Sequence, residues 1–332
     1  MPRKWNLLIL ALASTSLLHA QALTKKEWKS ALKAYHQQFQ ELAAAKSYVY
    51  QEVLFERQEF FVEVPSSEVI AKTRALAGKT AKIAFIEEDM GPQLAFEAKI
   101  SDGYPDFISE QINIALVESN LKDSKGQTIE LASMAQSGAD GNTLLHRLGI
   151  AGNQSPNPDK ISGDATYDLS FLLRYDQVKL AKENTGETFS LAGCEFTLIE
   201  VLHNQVILES SCDYAPDLKL INWGKEGYIF SPYPYQELME MAAKDPSINT
   251  DGFFSQSSSS VPKRVYQLLN KQPDISNKKL RKALPITNFT QQVFDGDQYL
   301  VLSNVAPIQG NFTLFAPVYE TDRVVVEYGR GK

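Results

Sequence analysis

Hydrophobic and polar residues alternate through most of the chain from about residue 47 onward. Short segments rich in valine, isoleucine, phenylalanine and tyrosine are separated by turns that contain glycine, proline and asparagine. This alternation indicates β-strands that bury one face. Because few helices are interleaved between these strands, antiparallel sheets are favoured over a parallel sheet. We therefore predict a mainly β fold with two antiparallel, Ig-like β-sandwich units.

Two segments interrupt this pattern. In residues 135–162 glycine, asparagine, serine and proline become frequent, which predicts a long loop that leads to a domain boundary near residue 160. Residues 236–284 contain three stretches of helical character around a polar, serine-rich sequence. The predicted organisation is a β-sandwich domain over residues 47–160 and a second one over residues 161–332, with a helical insertion at about 236–284.

Residues 23–46 have the spacing of an amphipathic helix. Thr24 and Glu27 form a capping-box pattern at its start. The apolar residues that follow recur every three or four positions and would form one stripe: Trp28, Leu32, Tyr35, Phe39 and Leu42. We predict a helix that packs on its own domain. The alternative is a helix that binds a partner or enters a coiled coil.

The first residues have the features of an export signal. Arg3 and Lys4 precede an apolar run over residues 7–18, and Ala20 and Ala22 flank Gln21 in a small-x-small pattern. The run is short for a bilayer crossing, so we predict a signal peptide over residues 1–22 rather than an anchor. The predicted location is periplasmic or extracellular, and the chain is not expected to span a membrane after cleavage.

Cys194 and Cys212 are the two cysteines of the chain. Two apolar, alternating segments lie between them, with His203 and Asn204 as the turn of a hairpin. In an antiparallel pair closed at that turn, the two cysteines lie opposite each other, near the Cα separation that a disulfide requires. Export permits oxidation, so we predict a Cys194–Cys212 disulfide. The alternative is a pair of free buried thiols.

The net charge argues against nucleic acid as a partner. The chain has a formal charge of −7, and removal of Arg3 and Lys4 with the signal peptide would change it to −9. An acidic protein repels phosphate backbones. We predict that a protein or glycan of the cell envelope is the partner.

No catalytic motif is present in the sequence. The histidines of the mature chain, His36, His146 and His203, are scattered and have no metal-ligand spacing. There is no nucleophile elbow and no phosphate-binding glycine loop. We therefore predict no catalytic residue, no metal site and no cofactor. Paired carboxylates brought together only by the fold would escape such a search.

Two segments of the sequence are candidate binding surfaces. The first is aromatic and contains Trp223, Tyr228, Tyr233 and Tyr235, whose rings and polar tips suit a glycan or a protein; the alternative is that they are core residues. The second is basic and could bind an anionic partner, although a solvated helix face is the simpler interpretation. It contains Lys278, Lys279, Arg281 and Lys282.

These patterns favour an exported, non-catalytic binding or envelope-associated protein whose ligand the sequence does not identify. The alternative hypothesis is an exported carbohydrate-active hydrolase whose carboxylates are assembled in space. An open cleft with two carboxylates about 5–10 Å apart and flanked by aromatic side chains would favour the hydrolase.

Overall fold

The fold is mainly β, as the sequence predicted, with several antiparallel sheets. The predicted signal peptide, and all but Lys33 of the predicted N-terminal helix, lie outside the residues that the structure describes. The structure is a computed structural model that describes residues 33, 48–88, 91–102, 104, 111–140, 142–151, 154, 156–212, 217–250, 257–272, 275–276, 278–279 and 298–329.

The chain divides into two compact units, each formed by two separate stretches. Unit 1 comprises Met1–Phe55 and Gln177–Ala316, and unit 2 comprises Glu56–Asp176 and Pro317–Lys332. The sequence predicted instead one boundary near residue 160. Two long strands of 17 and 16 residues contribute to both units, and alternation along a strand does not mark where one core ends. The Ig-like sandwich arrangement stays a prediction.

The described part of unit 2 contains two α-helices, a 3-10 turn at Pro158–Lys160, five strands and parts of two long strands. The first sheet has the order β2-β3-β6-β5, and in the second sheet β7 lies between β4 and β15. The elements are α1 (Arg57–Phe60), α2 (Ser67–Thr80), β2 (Lys82–Glu88), β3 (Gly91–Lys99), β4 (Ile112–Ser119), β5 (Leu131–Asp140), β6 (Thr143–Ile150), β7 (Asp164–Leu180) and β15 (Phe312–Glu327).

Both sheets and α2 contribute to one core in unit 2. The α2 helix begins after Ser66, whose hydroxyl accepts the Val69 N–H at 3.3 Å. The buried residues come from alternate positions of the strands and from one face of α2. They include Ile70, Ala77, Leu94, Phe96, Ile112, Ile114, Leu144, Leu148, Tyr167, Leu169, Phe171 and Val326.

The predicted loop over residues 135–162 is wrong in its first half. Leu131–Asp140 and Thr143–Ile150 pair antiparallel as β5 and β6. In β6 every second residue is buried, from Leu144 through His146 and Leu148 to Ile150. Glycine and asparagine are common here because this segment contains the hairpin turn, and their frequency concealed the alternation.

Unit 1 is built around a five-stranded antiparallel sheet with the order β13-β14-β10-β9-β8. A separate two-stranded ribbon pairs β1 with β12. The elements are β1 (Tyr50–Leu54), β8 (Thr188–Leu191), β9 (Cys194–Val201), β10 (Gln205–Ser210), β11 (Lys219–Asn222), β12 (Tyr228–Pro232), α3 (Tyr235–Lys244), β13 (Ser257–Pro262), α4 (Lys263–Lys271) and β14 (Gln298–Ser303).

The five-stranded sheet has apolar residues on both faces. One face, which carries Phe196 and Leu208, packs with residues of β11 and β15 such as Phe312. The other face packs with α4 through Val265 and Leu269. The α4 helix is amphipathic, so its apolar stripe covers the sheet while its polar side remains exposed.

The predicted helical insertion at about 236–284 is helical only in part. The α3 and α4 helices lie within it, but the serine-rich stretch between them contains β13, which pairs with β14. An edge strand is held by backbone hydrogen bonds, so Ser258, Ser259 and Ser260 do not need apolar side chains to join the sheet. The polar composition of these serines is typical of a flexible connection, and it concealed the strand.

The predicted disulfide is confirmed. Cys194 and Cys212 are bonded, with their Cα atoms 5.7 Å apart. Cys194 begins β9, and Cys212 follows the end of β10, which pairs with β9. The hairpin turn lies at His203 and Asn204, where the Leu202 N–H donates to the Gln205 carbonyl. Among the described residues, no helix is long and apolar enough to cross a bilayer.

Candidate binding surface

The ribbon of β1 and β12 presents an apolar face to solvent. The two strands pair antiparallel, with Glu52 opposite Phe230 and Leu54 opposite Tyr228. Because side chains alternate between the two sides of a strand, three residues of each strand share the outward side. We call this set the ribbon face: Tyr50, Glu52, Leu54, Tyr228, Phe230 and Pro232.

The exposure of the ribbon face is unusual for such side chains. Tyr50 is 39% exposed and Leu54 is 54% exposed, while Tyr228 and Phe230 are half-buried. On the opposite side of the ribbon Ile229 is buried. The opposite side is thus the less exposed one, and the ribbon face leaves apolar side chains clustered in water, which is typical of interaction surfaces.

Aromatic rings and one ion pair shape this face. The Tyr50 and Phe230 rings meet edge to face, with centroids 5.3 Å apart. Lys225 Nζ lies 4.2 Å from the centroid of the Tyr228 ring and 3.6 Å from Glu52 Oε2. The ammonium group thus contacts an aromatic ring and a carboxylate, and it joins the acidic centre of the face to its aromatic side.

A glycine allows Glu52 to lie against the turn before β12. A Cβ atom on Gly224 would lie 2.5 Å from Glu52 Oε1, which is closer than van der Waals contact permits. Any larger residue at position 224 would therefore displace the carboxylate. The Gly224 N–H donates to the Tyr228 carbonyl at 3.0 Å, which fixes the turn that carries Lys225.

Trp223, which the sequence placed in the aromatic surface, is an anchor beside the ribbon. Its Nε1 donates to Thr313 Oγ1 at 2.8 Å. Its ring meets Phe55 edge to face, with centroids 5.1 Å apart, and its backbone bridges to Ile229. These contacts hold the ribbon in place, so the tryptophan supports the ribbon face from the side.

Of the other predicted aromatic residues, Tyr228 belongs to the ribbon face. Tyr233 follows β12 and is half-buried, and Tyr235 is the exposed first residue of α3. Their role in binding stays a prediction. In the predicted basic surface Lys278 and Lys279 are exposed, and Arg281 and Lys282 lie outside the described residues.

A second polar cluster lies between α4 and the five-stranded sheet. The Tyr266 hydroxyl hydrogen-bonds Glu200 Oε2 at 2.5 Å, and Lys263 forms an ion pair with Glu209. Burial and the neighbouring Glu200 carboxylate raise the pKa of Tyr266. Both carboxylates contact side chains of α4, and this arrangement fastens the helix to the sheet.

Other charged groups also have partners that suit a structural role. The hydrogen bonds from Arg323 lower the pKa of Asp168, and those from Ser247 lower the pKa of Asp245. Within the described part of the chain, no group of three or more histidine, cysteine, aspartate and glutamate residues could hold a metal ion.

Sequence reasoning missed the contribution of β1 to this surface. Tyr50, Glu52 and Leu54 are more than 170 positions away from β12 in the chain. Their alternation with Gln51 and Val53 was visible as a strand pattern. A pattern of this kind shows which residues share a side of one strand, but it does not identify the partner strand. The six residues of the ribbon face could therefore not be recognised as one surface from the sequence.

Comparison of the sequence with protein-family models, with curated proteins and with solved structures gave no match.

Proposed function

We propose that this chain is a non-catalytic binding protein and that the ribbon face is its contact surface. The observation that carries the proposal is the exposure of Tyr50 and Leu54 beside Tyr228 and Phe230 on one side of the ribbon, while Ile229 on its other side is buried. Water in contact with such a patch is displaced favourably when a partner covers it.

In this proposal the chain is exported with a cleavable signal peptide. It acts in the periplasm or outside the cell, at the cell envelope. The Cys194–Cys212 disulfide is weakly consistent with an oxidising compartment. Ig-like sandwich units and the N-terminal amphipathic helix belong to the same proposal, as a rigid support for the ribbon.

The fold brings several carboxylates near aromatic rings, and their contacts support binding better than they support hydrolysis. Glu200 and Glu209 lie on one sheet, close to Tyr266 and Tyr299. Their contacts with Tyr266 and Lys263 belong to the attachment of α4. Glu52 in the ribbon face contacts Lys225 and is accompanied by apolar residues instead of a second carboxylate.

Photocrosslinking in the native host tests this proposal. Replacing Tyr50 by p-benzoylphenylalanine preserves an aromatic ring on the proposed surface. The same photoreactive residue at Val117, an exposed apolar position in β4 of unit 2, is the matched control. Irradiation should produce adducts of higher mass from position 50 and not from position 117. Equal adducts at both positions, or none at position 50, would contradict the proposal.

A further inference from the structure

The outer edge of β1 carries backbone groups that point away from β12. The Phe55 N–H donates to the Gly227 carbonyl at 2.9 Å, which identifies a hydrogen-bonded pair in the register of the ribbon. Such pairs alternate with non-hydrogen-bonded pairs. Gln51 and Val53 therefore direct their N–H and C=O groups to β12, and those of Tyr50, Glu52 and Leu54 point outward. Pro232, which has no N–H, is opposite Tyr50, as this pattern requires.

The two edges of the ribbon differ. The far edge of β12 is occupied by the chain before it, since the Gly224 N–H donates to the Tyr228 carbonyl and Trp223 bridges to Ile229. In the part of the chain that the structure describes, β1 pairs with β12 alone. Its outer edge thus offers three N–H donors and three carbonyl acceptors in line, which an added strand would satisfy.

The side chains along this edge set a pattern for an added strand. Tyr50 and Leu54 are exposed on either side of Glu52. Directly opposed residues in an antiparallel pair have Cβ atoms about 5 Å apart and interact. An added strand would match Tyr50, Glu52 and Leu54 if it had a cationic residue opposite Glu52 and apolar residues two positions before and after that cationic residue. The Glu52–Lys225 pair is long, at 3.6 Å, and exposed, so it competes weakly for the carboxylate.

A second copy of this chain fits the edge less well. Antiparallel pairing of two β1 edges that matches all three outward residues places Glu52 opposite Glu52 of the other copy. Like charges directly opposite each other destabilise a strand pair. A glycan cannot use the strand's regular spacing of donors and acceptors, and Lys225 already covers one side of the Tyr228 ring.

We propose that the outer edge of β1 binds an extended peptide segment of a partner protein by antiparallel strand addition, with a lysine or arginine opposite Glu52. This rests on the proposed function and names its ligand class. The main-chain hydrogen bonds would supply affinity that is independent of sequence, and Glu52 with its two apolar neighbours would select the partner.

Synthetic peptides test the inference. The probe is a fluorescent peptide with the sequence Gly-Val-Thr-Lys-Thr-Val-Gly, whose central lysine would face Glu52 and whose valines would face Tyr50 and Leu54. Its affinity is measured by fluorescence anisotropy. Replacing the central lysine by glutamate should weaken binding at least tenfold, and the protein variant Glu52→Lys should reverse that preference. Glu52→Gln should remove the preference without reversing it.

Backbone methylation separates strand addition from simple side-chain contact. In the proposed register the lysine N–H points towards β1 and the threonine N–H groups point away. N-methylation of the lysine should weaken binding at least tenfold, whereas N-methylation of the first threonine should change it less than threefold. Equal effects at the two positions would overturn strand addition. Melting temperatures of the Glu52 variants confirm that they remain folded.

The outcome also separates this inference from the proposed function. If no peptide of this pattern binds while position 50 still crosslinks in the native host, the peptide inference is overturned and the ribbon face remains a contact surface. If position 50 does not crosslink, the proposed function fails regardless of how the peptides behave. Peptide binding that Glu52→Lys leaves unchanged would overturn the assigned edge.

Discussion

At the scale of single residues, His146 and Tyr167 form a buried pair of titratable side chains. Their rings meet edge to face in the core of unit 2, with centroids 6.1 Å apart. Burial raises the pKa of Tyr167 to about 12 and lowers the pKa of His146. Both shifts have one cause, because removal from water disfavours the charged form of each group.

The lowered pKa of His146 makes the stability of unit 2 depend on pH. The unfolded chain binds a proton at His146 near its ordinary pKa of about 6.5, and the folded chain binds it only at lower pH. The stabilisation is therefore complete above about pH 6.5 and is lost as the pH falls through and below that value. His146→Gln, measured by chemical denaturation between pH 7 and pH 5, should flatten this loss.

The matched control is His203→Gln, because His203 lies exposed in the β9–β10 turn. That variant should keep the pH dependence of the wild-type protein. If both variants follow the wild-type curve, protonation of His146 does not contribute to the loss of stability at low pH.

The disulfide is a second residue-scale determinant of stability. Cys194 and Cys212 are separated by 18 positions, and a closed loop of that length stabilises a fold by about 3 kcal/mol in the chain-entropy treatment. Replacing both cysteines by alanine should lower the free energy of unfolding by about that amount. The wild-type protein unfolded in the presence of a reductant should show the same loss, and an unchanged denaturation midpoint there would contradict the prediction.

At the scale of elements, α4 shows how a short helix is fixed to a sheet. Its apolar stripe supplies Val265 and Leu269, and its polar contacts include the Tyr266–Glu200 hydrogen bond and the Lys263–Glu209 ion pair. Lysine in the first turn opposes the helix dipole. The ion pair with Glu209 offsets this unfavourable placement, which explains why the helix can begin with basic residues.

Removing one of these contacts should loosen the helix. Tyr266→Phe leaves the ring in place but deprives Glu200 of a hydrogen-bond donor, and we expect a loss of about 1–2 kcal/mol in the free energy of unfolding. Asn270→Ala is the control, since Asn270 lies exposed on the same helix and its replacement should change the free energy of unfolding by less than about 0.5 kcal/mol. Amide exchange over residues 263–271 should accelerate in the tyrosine variant alone.

At the scale of the whole molecule, each unit combines two separate stretches of the chain, and two long strands contribute residues to both units. Unit 2 takes its last strand segment from Pro317 onward, although its other stretch ends at Asp176. Arg74 of α2 donates to Asp322 of β15 at 2.6 and 2.7 Å, which joins residues 248 positions apart. We therefore expect the stability of unit 2 to depend on residues of β15, which lie far along the chain from its other elements.

Two neighbouring valines of β15 test this dependence. Val326 is 4% exposed in the core of unit 2, whereas Val325 is 64% exposed. Val326→Ala should lower the free energy of unfolding by about 2 kcal/mol through lost burial and the cavity left behind. It should also accelerate amide exchange in β3 and β6. Val325→Ala should have little effect, and equal effects of the two changes would argue against this burial pattern.

Local patterns were sufficient for several features of the molecule. Alternation of apolar residues predicted the mainly β fold, and the hairpin between Cys194 and Cys212 predicted their disulfide, because both depend on neighbours in the chain. The same reasoning failed where composition concealed periodicity. The glycine-rich surroundings of β6 indicated a loop where the structure has a strand. The serines of β13 indicated a flexible connection where the structure has an edge strand.

The pairing of distant segments was decided by tertiary structure alone. A strand pattern specifies which side chains share a side, but long-range pairing depends on which complementary edge and core the folded chain brings near. Tyr50, Glu52 and Leu54 therefore joined Tyr228 and Phe230 only in three dimensions. For the same reason Trp223, an expected binding residue, donates an anchoring hydrogen bond to Thr313, which lies in a strand 90 positions away. Sequence periodicity determines which side chains lie together on one side of each element. Long-range packing determines which of those sides is buried and which remains exposed.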